Sequence, residues 1–145
     1  MTNSTGPITE DDSSSGHVGV LAHYLAEPGA ERVQALFEDD AVLAGASSLS
    51  LYEFELRLHQ LGMAEATRIA ELNRYRALLN DIVVVDEAVR SEAIRLRTGA
   101  TAHVAAMDIL IAATASLKNA TLVHRDPHFT AIPPSLLKQE VLPAK

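Results

Sequence analysis

The sequence predicts an α/β domain built on a parallel sheet. Three observations carry that prediction: apolar blocks without alternation at 41–45 (AVLAG), 82–86 (IVVVD) and 120–126 (ATLVHRD), helical stripes between them, and turn residues separating one segment from the next. Strands covered on both faces read as continuous apolar runs. Strands that alternate with helices require crossovers, and these are right-handed in the great majority of cases. The 145 residues, 48% of them hydrophobic, supply one core of ordinary size, so a single domain over 17–145 is expected.

Residues 1–16, MTNSTGPITEDDSSSG, are polar and small, and read as a poorly structured leader. The run VGVLAHYL at 18–25 is apolar on most positions, ends at Glu27-Pro28-Gly29, and reads as a first helix. A second helix follows from Ala30, with Val33, Leu36 and Phe37 on one stripe. After the strand at 41–45, Ser47 or Ser48 caps a helix through SLYEFELRLHQL, and Gly62 stops it as a C′ glycine. The segment 63–80 places Ile69, Leu72, Tyr75, Leu78 and Leu79 on a stripe and predicts the longest helix. Beyond the strand at 82–86, EAVRSEAIRLRTG forms a helix closed by Gly99. MDILIAATASLKN, apolar nearly all round, forms a buried helix with Asn119 at its C-terminal end, and QEVLP at 139–143 supplies an edge strand.

Composition excludes several function classes. Twelve Lys and Arg against nineteen Asp and Glu give a net charge of −7, which argues against nucleic-acid binding by bulk charge. The absence of cysteine removes disulfides, thiol nucleophiles and thiolate metal sites. Aromatic residues at 4%, with no tryptophan, argue against a base-stacking platform. No apolar run reaches membrane-spanning length and no signal peptide is visible, so a cytoplasmic protein is expected. Neither a Gly-rich phosphate loop nor a nucleophile triad is present.

Acidic residues recur just after the strands, where open parallel sheets bind their ligands. Asp126 ends one strand, Glu53 lies in the helix after another, Asp108 sits near the start of the buried helix, and Asp11 and Asp12 precede the first helix. Asp108 is the most informative, because its surroundings are small and apolar and an unpaired carboxylate there is costly. Each has an ordinary reading too. Asp108 can be satisfied by helix N-terminal N–H groups, Glu53 can pair with Arg57 four residues on, and Asp126 can open the turn at Asp126-Pro127.

As an ordered set these segments resemble the PIN domain, the fold of VapC-type toxin ribonucleases. The likeness runs from about Val20 to Phe129 and rests on LAHYLAEPGAERV, on SLSLYEFELRL with Ser50 three residues before Glu53, on AMDILIAATA around Asp108, and on ATLVHRDPHF with Asp126 and Phe129. The resemblance implies a three-layer α/β/α domain that hydrolyses RNA with Mg²⁺ or Mn²⁺. It assigns Glu53, Asp108 and Asp126 as metal ligands and catalytic groups, with Ser50 orienting them by hydrogen bonding. It also implies a homodimer and an antitoxin protein that enters the acidic groove, packing on an apolar patch around Leu21, Tyr24 and Leu25.

The front of the chain departs from the family, which opens with an apolar strand ending in Asp. Asp12-Ser13-Ser14 has the right residue types, but GPITED before it offers one apolar residue. Counting back from Glu27-Pro28 places the family's Asp near Gly16. Three alternatives stand: a short strand at 7–10 with Asp11 or Asp12 as ligand, an altered N-terminus, or a diverged protein without the first ligand. Asp12 completes the expected ligand set in the first. The last corresponds to a non-catalytic binding module of the same fold. Arg95 and Arg97 lie near the expected mouth of the site, where a solvated helix face is favoured over a phosphate contact, and His103, His124 and His128 are read as structural rather than as proton carriers.

Overall fold

The computed structural model describes residues 18–22 and 30–142. Among these residues five strands form one sheet: β1 (Val18–Ala22), β2 (Val42–Ser47), β3 (Asp81–Val83), β4 (Thr121–His124) and β5 (Gln139–Val141). Every neighbouring pair is parallel and the order is β3-β2-β1-β4-β5. Among the described residues five helices lie between them: α1 (Ala30–Glu38), α2 (Ser48–Gln60), α3 (Glu65–Arg76), α4 (Glu87–Gly99) and α5 (Ala106–Leu117), with a 3-10 turn at Pro127–Ala131 between β4 and β5. The predicted parallel α/β architecture is therefore the one observed.

One element is a correction. The first five residues of the run expected to form a first helix, Val18–Ala22, are instead β1, the central strand, paired with β2 on one side and β4 on the other. Val18 and Val20 are β-branched and Gly19 disfavours a helix, and a strand between two others gains both ladders of hydrogen bonds. Leu21, expected on an exposed antitoxin-binding helix, stands in this strand opposite Gly45 and Leu122. Tyr24, Leu25 and the strand anticipated at 7–10 lie outside the described residues.

The sheet is covered on both faces. Leu122 and Val123, adjacent on β4, belong to different cores: Leu122 packs with Leu96, Ile111, Ala112, Phe129 and Ile132, whereas Val123 packs with Leu36 and Leu142. Alternate strand residues point to opposite faces, so this split gives the three-layer arrangement. On α3, Tyr75 sets its ring 6.4 Å from Phe37 of α1 and 5.6 Å from Phe54 of α2, joining three helices. Its hydroxyl is pushed upward in pKa by burial. The segment 63–80 yields a helix of 12 residues rather than the longest one, since α2 and α4 have 13 each.

Helix ends follow the capping residues. Gly62 (φ 83°) closes the end of α2 and Asn119 (φ 54°) that of α5, both in the left-handed region. Ser47 Oγ accepts the Leu49 N–H at 3.1 Å and is completely buried. Ser47→Ala is expected to destabilise the domain by about 1 kcal/mol, because the N–H loses its acceptor where water cannot replace it. A urea midpoint unchanged from the parent would contradict that role.

Candidate functional site

The strand order places the site. Connections run outward from β1 to β2 and β3 in one direction, and β4 and β5 lie on the other side of β1. The order therefore reverses between β1 and β4, and in open α/β sheets ligands bind beyond the carboxyl ends of the strands at that reversal. Asp126 follows β4 by two residues, α2 leaves the carboxyl end of β2 and carries Glu53 in its second turn, and α5 carries Asp108 in its first turn.

Both aspartates act electrostatically on Glu53, and Asp126 acts on Asp108. Glu53 is held above the usual carboxylate range, first by burial and then by the charges of Asp108 and Asp126. Asp108 is raised likewise by burial and by Asp126, with His128 acting in the opposite direction. Shared negative charge in a partly desolvated cleft disfavours ionisation and favours either protons or an added cation. Among the described residues, no three His, Asp or Glu side chains lie close enough together to form a ready-made metal cage.

Local chemistry fixes Asp126. It caps the 3-10 turn, with Oδ1 accepting the His128 N–H at 2.9 Å, and Pro127 supplies the first helical position, where a missing N–H costs nothing. His128 Nδ1 also lies 2.8 Å from the same carboxylate oxygen. The Asp126 N–H donates to His124 Nδ1 at 3.1 Å, so a fully buried imidazole supports the turn from below. Burial lowers the pKa of His124.

The PIN domain model matches residues 19–133. The chain belongs to the PIN domain family. The fold agrees: solved structures similar to this PIN domain include VapBC2 from Rickettsia felis bound to a promoter DNA fragment (TM-score 0.66, 20% identity, covering 87% of this chain and 99% of that one). DNA-bound VapBC from Salmonella typhimurium matches with a TM-score of 0.65, 17% identity, and 86% and 98% coverage. FitAcB from Neisseria gonorrhoeae gives 0.62, 21% identity, and 85% and 97% coverage. At these identities the likeness is one of fold. No curated protein matches the chain.

Within this PIN domain the sequence candidates separate clearly. Glu53, Asp108 and Asp126 are brought into one electrostatic neighbourhood, and Ser50 is buried one turn before Glu53 on α2. Asp11 and Asp12 lie outside the described residues, and β1 itself, VGVLA, carries no carboxylate. Arg95 is not at the mouth of the site. It bonds Glu92 at 2.6 Å and reaches Ser116 at 3.4 Å near the far end of α5, about eight residues and therefore roughly 12 Å along the helix from Asp108. Arg97 approaches His103 at 3.4 Å. Arg74 pairs with Glu71 at 2.6 Å, so part of the basic stretch 68–76 is salt-bridged within its own helix. Gln139, which turns out to hold His124, carries no signal in the sequence beyond its place in an edge strand.

The donor set fits a hard divalent cation in chemistry and charge. It offers only carboxylate oxygens, which suit Mg²⁺ or Mn²⁺, and Mg²⁺ commonly keeps several waters while using one or two carboxylates. Glu53, Asp108 and Asp126 are the residues that would hold it. An open cluster without a closed cage is consistent with that mode of binding.

Proposed function

We propose that this PIN domain is a metal-dependent endoribonuclease of the VapC toxin type, working with Mg²⁺ or Mn²⁺, partnered by an antitoxin and acting as a homodimer in the cytoplasm. The observation that carries the reading is the gathering of Glu53, Asp108 and Asp126 at the reversal of strand order, where both aspartates act on Glu53 and Asp126 acts on Asp108. A bound divalent ion would supply phosphate polarisation and an activated water. The chain's own contribution is to hold the carboxylates where that charge is needed and to admit one backbone phosphate between β1 and β4. Hydrolysis then adds water to phosphorus, breaks one P–O bond and passes a proton to the leaving oxygen. Ser50 orients Glu53, and Asp12 completes the proposed ligand set. The similar structures include VapBC and FitAB assemblies and a toxin-antitoxin complex from Klebsiella pneumoniae, which supports an antitoxin partner for this chain as well.

One observation favours a second reading, a binding module that has lost the first carboxylate: the central strand β1 holds no acid. Thermal unfolding with chelator, Mg²⁺ or Mn²⁺ separates the two. The enzyme reading expects Mn²⁺ at about 100 times its dissociation constant to add roughly 2.7 kcal/mol, with Asp12→Asn reducing the shift and RNA cleavage together. A parent protein that ignores both ions up to millimolar concentration is the binding module.

A further inference from the structure

The buried imidazole under Asp126 belongs to a closed hydrogen-bond network that reaches the sheet edge. A backbone N–H can only donate, so the Asp126 N–H, 3.1 Å from His124 Nδ1, requires that nitrogen to be unprotonated. The proton of the neutral ring is then on Nε2, which lies 2.8 Å from Gln139 Oε1 and donates to it. That fixes the orientation of the Gln139 amide. Its Nε2 carries two hydrogens and has two acceptors, the Phe129 carbonyl at 3.0 Å and the Ile132 carbonyl at 3.1 Å. Every donor has an acceptor, and no alternative assignment of the ring or the amide satisfies all four contacts. The two carbonyls lie within and just after the turn that Asp126 caps, and the ring packs on that of Phe129 at a tilt of 53°, with centroids 4.6 Å apart.

The backbone reinforces the same join. Gln139 stands opposite Leu122 in the β4–β5 ladder, and the Leu142 N–H donates to the His124 carbonyl at 2.7 Å. A bidentate pair from Arg32 of α1 to Glu140, at 2.7 and 3.0 Å, ties β5 to the opposite layer. The edge strand is thus held from three sides, and its one long polar side chain turned inward ends on the ring beneath Asp126.

We propose that Gln139 and His124 are positioning residues that set the orientation of the Asp126 carboxylate for cation binding, making β5 part of the site. The proposal rests on the reading of Asp126 as a metal-binding carboxylate. Groups one shell removed from a metal ligand typically change affinity by about 10- to 100-fold when replaced. Gln139→Met keeps length and volume while removing the amide, so the ring loses its acceptor and the turn loses two donors.

The experiment measures Mn²⁺ affinity of the folded full chain by calorimetry at 15 °C, beside the thermal midpoint of the chelated protein. Gln139→Met is expected to weaken Mn²⁺ binding at least about tenfold while remaining folded. A midpoint that falls with Mn²⁺ affinity within twofold of the parent is a purely structural role and overturns the proposal. A second measurement needs no variant: in the parent, the ring nitrogen resonances of His124 and the amide of Asp126 are followed during titration with Mg²⁺. They are expected to move together with one dissociation constant, and ring resonances that stay fixed while the Asp126 amide moves overturn the proposal. A parent that binds neither ion refutes the metal-site reading itself and the proposal with it, an outcome distinct from a parent that binds and a variant that binds equally.

Discussion

Asp108→Asn is expected to raise the thermal midpoint of the chelated protein at neutral pH and, in the same variant, to abolish stabilisation by Mn²⁺. The two effects have opposite signs because one carboxylate causes both. Burial and the charge of Asp126 raise the folded-state pKa of Asp108 above its ordinary value, and Glu53 is raised by burial and by both Asp charges. A carboxyl whose folded pKa is raised binds protons more tightly in the native state, so its contribution to stability is fully present below the ordinary pKa and is lost as pH rises through the folded value. At pH 7 the parent therefore holds an unfavourable charge that Asn does not. Removing it relieves the apo protein, and also removes an oxygen that a divalent ion would need. Cleavage of RNA should fall by more than the roughly 100-fold typical of residues behind a ligand. Melting curves between pH 4 and 8 check the linkage: with chelator, parent and variant should diverge as pH rises, and with Mn²⁺ the order should reverse. If the variant is the less stable protein with chelator at pH 7, the charge is compensated by the fold and the electrostatic argument for the site fails.

The sequence shows this acidic neighbourhood more clearly than it shows the strand at its centre. Glu53, Asp108 and Asp126 are legible because each follows an apolar segment whose type is clear, and an acid inside AMDILIAATA is conspicuous by its surroundings. The capping residues Ser47, Gly62 and Asn119 are legible for the same reason: local geometry demands few residue types there. Strand β1 is not legible from periodicity alone. VGVLAHYL is a continuous apolar run, which suits a doubly covered strand and a buried helix equally, and the flanking Glu-Pro-Gly turn ends either. Only the two pairing partners on either side, which are remote in sequence, decide in favour of the strand. The network through Gln139 is hidden for a related reason. A glutamine in an edge strand is usually solvated, and its inward role depends on a histidine 15 residues away being buried beneath a turn. Arg95 shows where the ordinary reading holds: a place near a helix end suggests the site mouth, but the solvated helix face that the sequence favours agrees with its bonds to Glu92 and Ser116.

Phe129→Ala is expected to cost about 3–5 kcal/mol, the range for removing a buried aromatic side chain. The ring is completely buried, sits in the main core with Leu96, Ile111 and Leu122, and packs at a tilt against the ring of His124. Against a total stability of about 5–15 kcal/mol for a typical domain, this is a large fraction. The residue follows Asp126 by three positions, so the loss also loosens the turn that carries the acid. Phe129→Leu separates the two consequences. It refills most of the cavity but gives up the contact between rings, and should cost about 1–2 kcal/mol from imperfect packing and the lost aromatic pair. If the turn is held mainly by the amide of Gln139 on the backbone carbonyls of Phe129 and Ile132, which do not depend on the side chain, Phe129→Leu retains Mn²⁺ affinity near that of the parent. Urea unfolding of both variants gives the stabilities, and calorimetry gives the affinities. A Phe129→Ala loss below about 1 kcal/mol would mean that the ring is not the core residue its burial indicates. A Phe129→Leu protein of near-parental stability that no longer binds Mn²⁺ would move the control of Asp126 from the hydrogen-bond network to the packing of the rings.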